Sequence, residues 1–525
     1  VLNFDRLRVS LTPTEAYQNL LAPLGISNAP DIAFGRNGDF SNIGPGSSYP
    51  RLRVENRFHI SPEATQTRGN HTMTAGFLVS RMQINDLQSD NSRGSFEFSR
   101  NGGRSAVENF RLGLPTTYKI NLGDFYRGFR NWEHAVYFQD RIKLLPTFTL
   151  TLGMRYEVVT KPIEVNDRTD VGFETDANNF GPTVGIAWNP RGGKVALRGG
   201  YGWWYSSTYP LLYQRARFNP PDVKVISIDD SPSLVNPLGS VEGIDTSNLR
   251  SGLNLLSPDL VAPYMHVYSF SIERELPGGL FFRTGYAGSR TIKMPWEVIS
   301  NRGMNVPGVV ATTRNVDERR PDPRYLAIST VSNGGISYYD SLQVALDRRT
   351  GRSITWTARY VFSKAINTGD TNFADIGTGR HISMEPYNIV GDLKAVENFD
   401  TPHAFSLTFR HQVPTALVGN GLVSRIIGGW RSSGTLTLRS GTPYMLHTGS
   451  DAPGFGNVDG IGQERPNIVN PAIIGKSVDH PDTSTTILRK EYFDTNIPVG
   501  GRGNLGFNSF RTDGTTNMNF AVERE

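Results

Sequence analysis

Residues 143–159 read KLLPTFTLTLGMRYEVV, in which apolar and polar positions alternate almost without fault. Phe148, Leu150, Leu152, Met154, Tyr156 and Val158 fall on one side; Thr147, Thr149, Thr151, Gly153, Arg155 and Glu157 fall on the other. Successive side chains of a strand face opposite ways, so the pattern predicts a strand with one oily and one polar face. Residues 134–145 repeat it with Val136, Phe138, Ile142 and Leu144, Asp140 being the exception, and only Pro146 and its neighbours lie between the two. That is the signature of a tight hairpin.

Four more pairs follow. Strands are predicted at 180–189 and 194–205 around PRGG, at 265–276 and 280–288 around PGG, and at 336–348 and 353–363 around TGR. The last pair, 403–413 and 429–440, is joined by the longer stretch 414–428. Earlier in the chain 71–86, 94–100 and 116–123 read as strands and 56–65 as a weaker one; at the other end Met518, Phe520 and Val522 mark a strand from 515. The pattern gives roughly 14 to 16 strands in all.

Two regularities decide the class. Most of these strands are predicted at about 9–13 residues, against the 5–6 usual in soluble domains. Twelve residues tilted by ~40° rise ~30 Å, the thickness of a bilayer's hydrocarbon layer. The connections also alternate: turns within pairs are short, whereas 159–179, 206–264, 289–335, 364–402 and 441–514 are long. Sorting loops by length is a property of outer-membrane barrels. The expected fold is therefore all-β, a large antiparallel transmembrane barrel with long extracellular loops. Arg155, Arg198, Arg359, Arg410 and Arg431 sit on polar faces. A dry core could not take them without a partner for each, and a wet lumen can. Trp132, Trp203, Trp204, Tyr205, Tyr360 and Phe362 lie near strand ends, where interfacial aromatic girdles sit.

Composition narrows the alternatives. No run reaches the ~18 apolar residues of a membrane-spanning helix, which leaves spanning strands open. The chain has no cysteine, so disulfides, thiolate metal sites and cysteine nucleophiles are excluded together. A net charge of +5 over 525 residues, with Lys and Arg scattered, gives no support to nucleic-acid binding. The opening VLNFDRLRVS lacks a basic segment followed by an apolar one, so no signal peptide is expected in it. The chain reads as a mature or truncated piece.

Several stretches resemble the barrel segments of TonB-dependent receptors: NWEHAVYFQDRIKLLPTFTLTLGMRYE, NNFGPTVGIAWNPRGGKVALRGGYGWWY, YSFSIERELPGGLFFRTGYAGSR, YYDSLQVALDRRTGRSITWTARYVFSKAI, NFDTPHAFSLTFRHQVP, GWRSSGTLTLRSGTPY and QERPNIV. Their order agrees with the Oar-like subgroup, which carries an N-terminal carboxypeptidase-regulatory-like domain, and the likeness runs from about residue 56. One departure is Ile142, where the family usually has Trp. The resemblance implies a 22-stranded barrel with a plug in its lumen. It implies a receptor in the Gram-negative outer membrane, in contact with its lipid and energised by TonB, ExbB and ExbD. Residues 1–525 would then be one barrel domain incomplete at both ends, with plug, regulatory-like domain and last strands outside it.

Enzymatic chemistry is not expected. HExxH, GxSxG and a Walker loop are absent, and the nine histidines are dispersed. No cofactor is implied. DAPGFGNVDGIGQE gathers Asp451, Asn457, Asp459 and Glu464 in one glycine-rich loop, a candidate for calcium, although Phe455 occupies the place of the first Asp in an EF-hand. The lumen arginines could attract anionic solutes, or pair with carboxylates of neighbouring strands or the plug. The leading expectation is import of a small solute, whether oligosaccharide, peptide or iron chelate. An anchored adhesion or interaction protein presenting the long loops is the alternative, and a soluble secreted β-protein the third.

Overall fold

In a computed structural model the described residues are 2–12, 30–34, 40–99, 101, 103–190, 193–206, 210–229, 232–238, 250–348, 353–368, 382–385, 388–412, 429–448, 451–478 and 487–524. The expected connection 414–428 and the TGR turn at 350–352 lie outside them. An 18-stranded sheet dominates. Its long members, in chain order, are β1 (Leu2–Leu11), β2 (Arg51–Ile60), β3 (His71–Gln88), β4 (Tyr126–Leu145), β5 (Phe148–Val159), β6 (Asp176–Trp188) and β7 (Val195–Tyr205). They continue with β8 (Tyr264–Leu276), β9 (Leu280–Ser300), β10 (Tyr325–Arg348), β11 (Ile354–Asn367), β12 (His403–Gln412), β13 (Trp430–Arg439) and β14 (Thr515–Arg524). Each pairs antiparallel with the next, from β1 at one edge to β14 at the other. Among the described residues β1 and β14 do not pair with each other.

The register carries the alternation from strand to strand. Val136 and Phe138 stand opposite Tyr156 and Met154, and Leu152 stands opposite Val184, itself opposite Tyr201. Further round, Phe270, Tyr286, Leu342 and Phe362 form one row, and Leu407, Leu436 and Met518 another. Among the described residues no second sheet covers this face: Phe138, Leu152, Leu342, Phe362 and Phe520 remain 45–58 % exposed. Monomeric soluble proteins rarely leave an apolar patch of more than a few hundred Å² uncovered. The face is apolar along most of the sheet, and of its charged exceptions Asp140 is paired with His71 and Asp340 with Arg290; such a face is what lipid requires.

The weak candidate at 56–65 is resolved into β2 and a second strand, Glu63–Arg68, both paired with β3. The break falls at Pro62, which has no N–H for the ladder, and its carbonyl accepts from the Phe77 N–H at 3.3 Å. The expected strands near 94–100 and 116–123 exist as Ser95–Phe98 and Thr117–Gly123, but they do not join the large sheet. With Asp31–Phe34 and Val223–Asp229 they form a separate four-stranded sheet. Its core of Phe34, Phe96, Phe98, Tyr118, Ile120 and Ile226 is protein-covered.

Several strands outrun the sequence expectation on the long-loop side. β4 begins at Tyr126, β9 ends at Ser300, and β10 starts at Tyr325, so the connection between β9 and β10 contracts to 301–324. Near the inner end of this extension Trp296 lies over Gly334. A Cβ on Gly334 would fall 1.8 Å from Trp296 Cζ2, and the indole Nε1–H donates to Ser332 Oγ at 2.9 Å. Gly334→Ala should destabilise by about 1–3 kcal/mol, the usual cost of overpacking, read as a lowered urea midpoint in lipid vesicles. An unchanged midpoint would mean the ring swings clear at no cost.

Candidate functional site

The same register sets the polar face. Arg155 stands opposite Tyr137 and Gly181, and Arg198 opposite Ala187 and Ser271. Arg359 stands opposite Ala345 and Ser406, Arg410 opposite Thr355 and Ser433, and Arg431 opposite Gln412 and Glu523. All five lie on the side of the sheet away from the apolar rows. Arg155 Nε donates to Glu157 at 2.9 Å. Arg198 and Arg283 share Glu273, at 3.6 and 3.0 Å. Arg359 and Arg410 have no carboxylate at ion-pair distance among the described residues. Arg359 borders a hollow with Glu273, Arg283 and Gln343.

The candidate girdle residues divide between the faces. Trp132, Trp203 and Tyr205 are on the apolar face toward the long connections; Tyr360 and Phe362 are on the same face at mid-strand, opposite Val344 and Leu342. Trp204 is on the opposite face, in step with Arg198 and Gly202, because it alternates with its neighbours. Sequence reading missed the partners of these rings. Trp203 meets His266 edge-on with ring centres 4.9 Å apart, and Tyr205 lies 5.6 Å from Tyr264. The Tyr201 hydroxyl is 2.7 Å from His266 Nδ1, and that of Tyr360 is 2.7 Å from His403 Nδ1. Aromatic and histidine residues of adjacent strands thus meet across the register.

Above this zone the polar face turns apolar and the long connections fold onto it. Ile84 of β3, Phe129 of β4 and Val331 of β10 pack with Val171, Phe173, Leu212, Tyr213, Leu256 and Leu260 of two connections. Tyr213 meets Phe129 edge-on at 5.0 Å, and its phenol is pushed above the ordinary range by burial. Beneath this core a hollow is lined by Glu133, Arg155, Glu157, Asp176 and Asn179. Asp176 accepts from the Ala262 N–H at 2.9 Å, which fixes the 206–263 connection at its rim.

Ion pairs are buried among the loops. Arg217 and Asp86 are fully enclosed and paired. Arg217 also donates to the carbonyls of Gln214 at 2.8 Å, Asp86 at 3.2 Å and Phe125 at 3.3 Å. Asp86 takes a second guanidinium, Arg53 Nε, at 3.2 Å. Burial lowers the Arg217 pKa and the Asp86 charge raises it again. Arg465 pairs with buried Asp392, and Arg511 with Asp400. None of these was marked by spacing, since each joins residues far apart in the chain.

Of the calcium candidates, Asp451, Asp459 and Glu464 converge, with carboxylate oxygens within 4.8 Å of one another. Asn457 Nδ2 donates to Asp459 at 2.7 Å. Asp451 accepts from the N–H groups of Asp459 at 3.1 Å and Gly460 at 2.9 Å, the latter residue at φ +94°, a conformation glycine adopts freely. Arg302, from the 301–324 connection, reaches Asp459 at 3.2 Å and the carbonyls of Ser383 at 2.8 Å and Met384 at 3.3 Å. Burial pushes the Glu464 carboxyl up to about 9 and Asp451 up to about 6, with the neighbouring negative charges adding to both. Three long connections therefore meet around one buried acidic centre.

Comparison with solved structures places the fold. The outer membrane transporter YddB of Escherichia coli matches with a TM-score of 0.52 and 10 % identity, over 99 % of this chain and 53 % of that one. The ferric enterobactin receptor PfeA of Pseudomonas aeruginosa, in a mutant form, gives 0.43 and 13 % over 84 % and 46 %. The siderophore receptor PirA of Acinetobacter baumannii gives 0.41 and 10 % over 79 % and 46 %. The chain spans about half the length of these structures. No curated protein matches it. The family model described as an outer membrane beta barrel domain matches residues 2–176 and 169–525. With its lipid-type apolar face, its sorted loops and that match, the chain belongs to the outer membrane beta barrel domain family and resides in the outer membrane.

Proposed function

We propose that this barrel belongs to a TonB-dependent importer of a small solute. On this reading the arginine face lines the lumen, and the rings around Trp132, Trp203 and Tyr205 anchor the barrel at the lipid interface. The long loops read the solute from outside. A plug, the remaining strands and the regulatory-like domain of the Oar-like subgroup belong to sequence beyond this chain, and TonB, ExbB and ExbD supply the energy. No covalent step is needed, because specificity is differential binding by loop residues on a rigid scaffold. Arg155 and Arg198, already paired with carboxylates, hold the wall; Arg359, with no such partner among the described residues, is the better placed to meet an anionic group.

The observation that carries this reading is the loop layer. The connections pack over the polar face with a core and buried ion pairs, which suits a surface that must hold a solute in one geometry above a passage. The test is uptake of labelled maltodextrins, tetrapeptides and ferric hydroxamate by cells expressing the complete protein, with and without a proton uncoupler and with TonB deleted. Accumulation of one class, abolished by both treatments, is expected. Surface binding that never becomes accumulation and ignores the uncoupler would instead mean adhesion. Within the imported class, Arg359→Glu should lower uptake of an anionic solute several-fold and leave a neutral one unchanged; equal effects on both would remove Arg359 from solute contact.

A further inference from the structure

We propose that Asp451, Asp459 and Glu464 form a divalent-cation site, calcium by its chemistry, that fastens the 440–514 connection to the 301–324 connection. The first observation is convergence: oxygens of three carboxylates lie within 4.8 Å of one another. Three oxygens as far as 4.8 Å from one another would lie about 2.8 Å from a common centre, so a small inward turn of the carboxylates brings them to the 2.3–2.6 Å of calcium–oxygen bonds. The second, independent observation is an orphan. Glu464, whose carboxylate is one of the three that converge, is 2 % exposed, and its Oε2 has no hydrogen-bond partner among the described residues. A buried carboxylate oxygen without a donor is costly unless something else satisfies it.

The surrounding charges do not fill that role. Arg302 reaches only Asp459 and spends its other donors on the carbonyls of Ile299, Ser383 and Met384. Arg319 is committed to the carbonyls of Met304, Thr312 and Val458 and to Asn315. Arg320 is taken by Asp317 and by the Asn301 carbonyl. Arg302 therefore gives the cluster its one guanidinium hydrogen bond, to Asp459, while Arg319 and Arg320 act on Asp451 and Asp459 by charge alone, and no guanidinium N–H reaches Glu464 among the described residues. All three ligands are hard oxygens from an irregular loop, with neither imidazole nor thiolate among them, which selects calcium over transition metals; magnesium demands a stricter octahedron.

The consequence is mechanical. Val458 packs with Ala311 and Val316, and the Gly303 N–H donates to the Asp459 carbonyl at 3.0 Å. An ion at Asp459 would therefore stiffen both connections at their crossing. The inference does not depend on what the barrel carries.

The test uses the complete protein in lipid nanodiscs, stripped with a chelator and titrated with calcium chloride or magnesium chloride by calorimetry. Hydrogen exchange is followed at 451–465 and 301–320. Calcium binding with a dissociation constant of order 10⁻⁴–10⁻³ M, the range of extracellular modules, is expected, together with slower exchange confined to those two segments and a weaker response to magnesium. Glu464→Gln and Asp451→Asn should each weaken binding on the order of tenfold or more, while Asp322→Asn, at a half-buried carboxylate of the 301–324 connection paired with Arg324, should not. No heat and no change in exchange up to about 10 mM calcium would overturn the proposal and leave Glu464 as a buried neutral acid. Equal binding by wild type and both cluster variants would overturn it too. Should Glu464→Gln fail to fold, Asp451→Asn and the wild-type exchange pattern decide between the same two results.

Discussion

Asp86→Ala should destabilise the folded barrel by about 3–5 kcal/mol, the cost of breaking a buried ion pair from one side. Asp86 is fully enclosed and is the shared acceptor of Arg217 and Arg53. Removing it strands the Arg217 guanidinium in a closed site, with only carbonyl partners left. The loss should be concentrated where the charge is stranded: the 206–263 connection, whose Leu212 and Tyr213 complete the core over Ile84 and Phe129, should loosen first. Urea unfolding in lipid vesicles gives the magnitude, and hydrogen exchange at 210–229 the location. Arg217→Met together with Asp86→Leu should recover much of the loss, because a buried pair replaced by apolar groups of similar size is often neutral. A single Asp86→Ala variant as stable as wild type would mean that water reaches Arg217.

The second large effect separates the two faces of one strand. Leu342 stands between Tyr286 and Phe362 on the apolar face, while Gln343, the next residue at nearly the same depth, shares the other face with Gly285 and Val361. Leu342→Arg should cost about 2–4 kcal/mol, the price of a guanidinium near the middle of the membrane. Gln343→Arg should cost little, since it faces the hollow on the polar side of the sheet and not lipid. Both are read from urea midpoints in lipid vesicles. Equal losses would mean that the two faces see the same medium.

How far the sequence foretold this molecule depends on which medium disciplined each segment. Where lipid covers one side, alternation is enforced, and the hairpin around Pro146 and the row from Phe270 to Phe362 were legible from residue spacing alone. Beyond the membrane that discipline ends. The outer part of β10, from Tyr325, packs against loop residues such as Leu256 as well as its neighbours, so its pattern no longer repeats every second residue. Ser95–Phe98 and Thr117–Gly123 do alternate, but against the protein core around Phe34; periodicity names a strand without saying what it faces. The five arginines share the polar face because each keeps the alternation of its own strand. Trp204 was grouped with Trp203 on proximity to a strand end, which ignores that neighbours point apart. The Asp86–Arg217 pair joins β3 to a long connection by tertiary folding, and no local pattern could announce it. Asp451, Asp459 and Glu464 were visible as a composition, while their convergence required the loop's own path.

Hydrocarbon must cover the apolar face if the barrel spans the outer membrane. The chain has no cysteine of its own, so single cysteines can be introduced one at a time at 148–158 of the lipid-reconstituted protein and spin-labelled. Collision with oxygen should then peak at positions 150, 152 and 154, and collision with a water-soluble nickel chelate at 149, 151 and 153. Labels at 150, 152 and 154 that meet the chelate freely, or that are shielded from both probes by protein, would contradict the account.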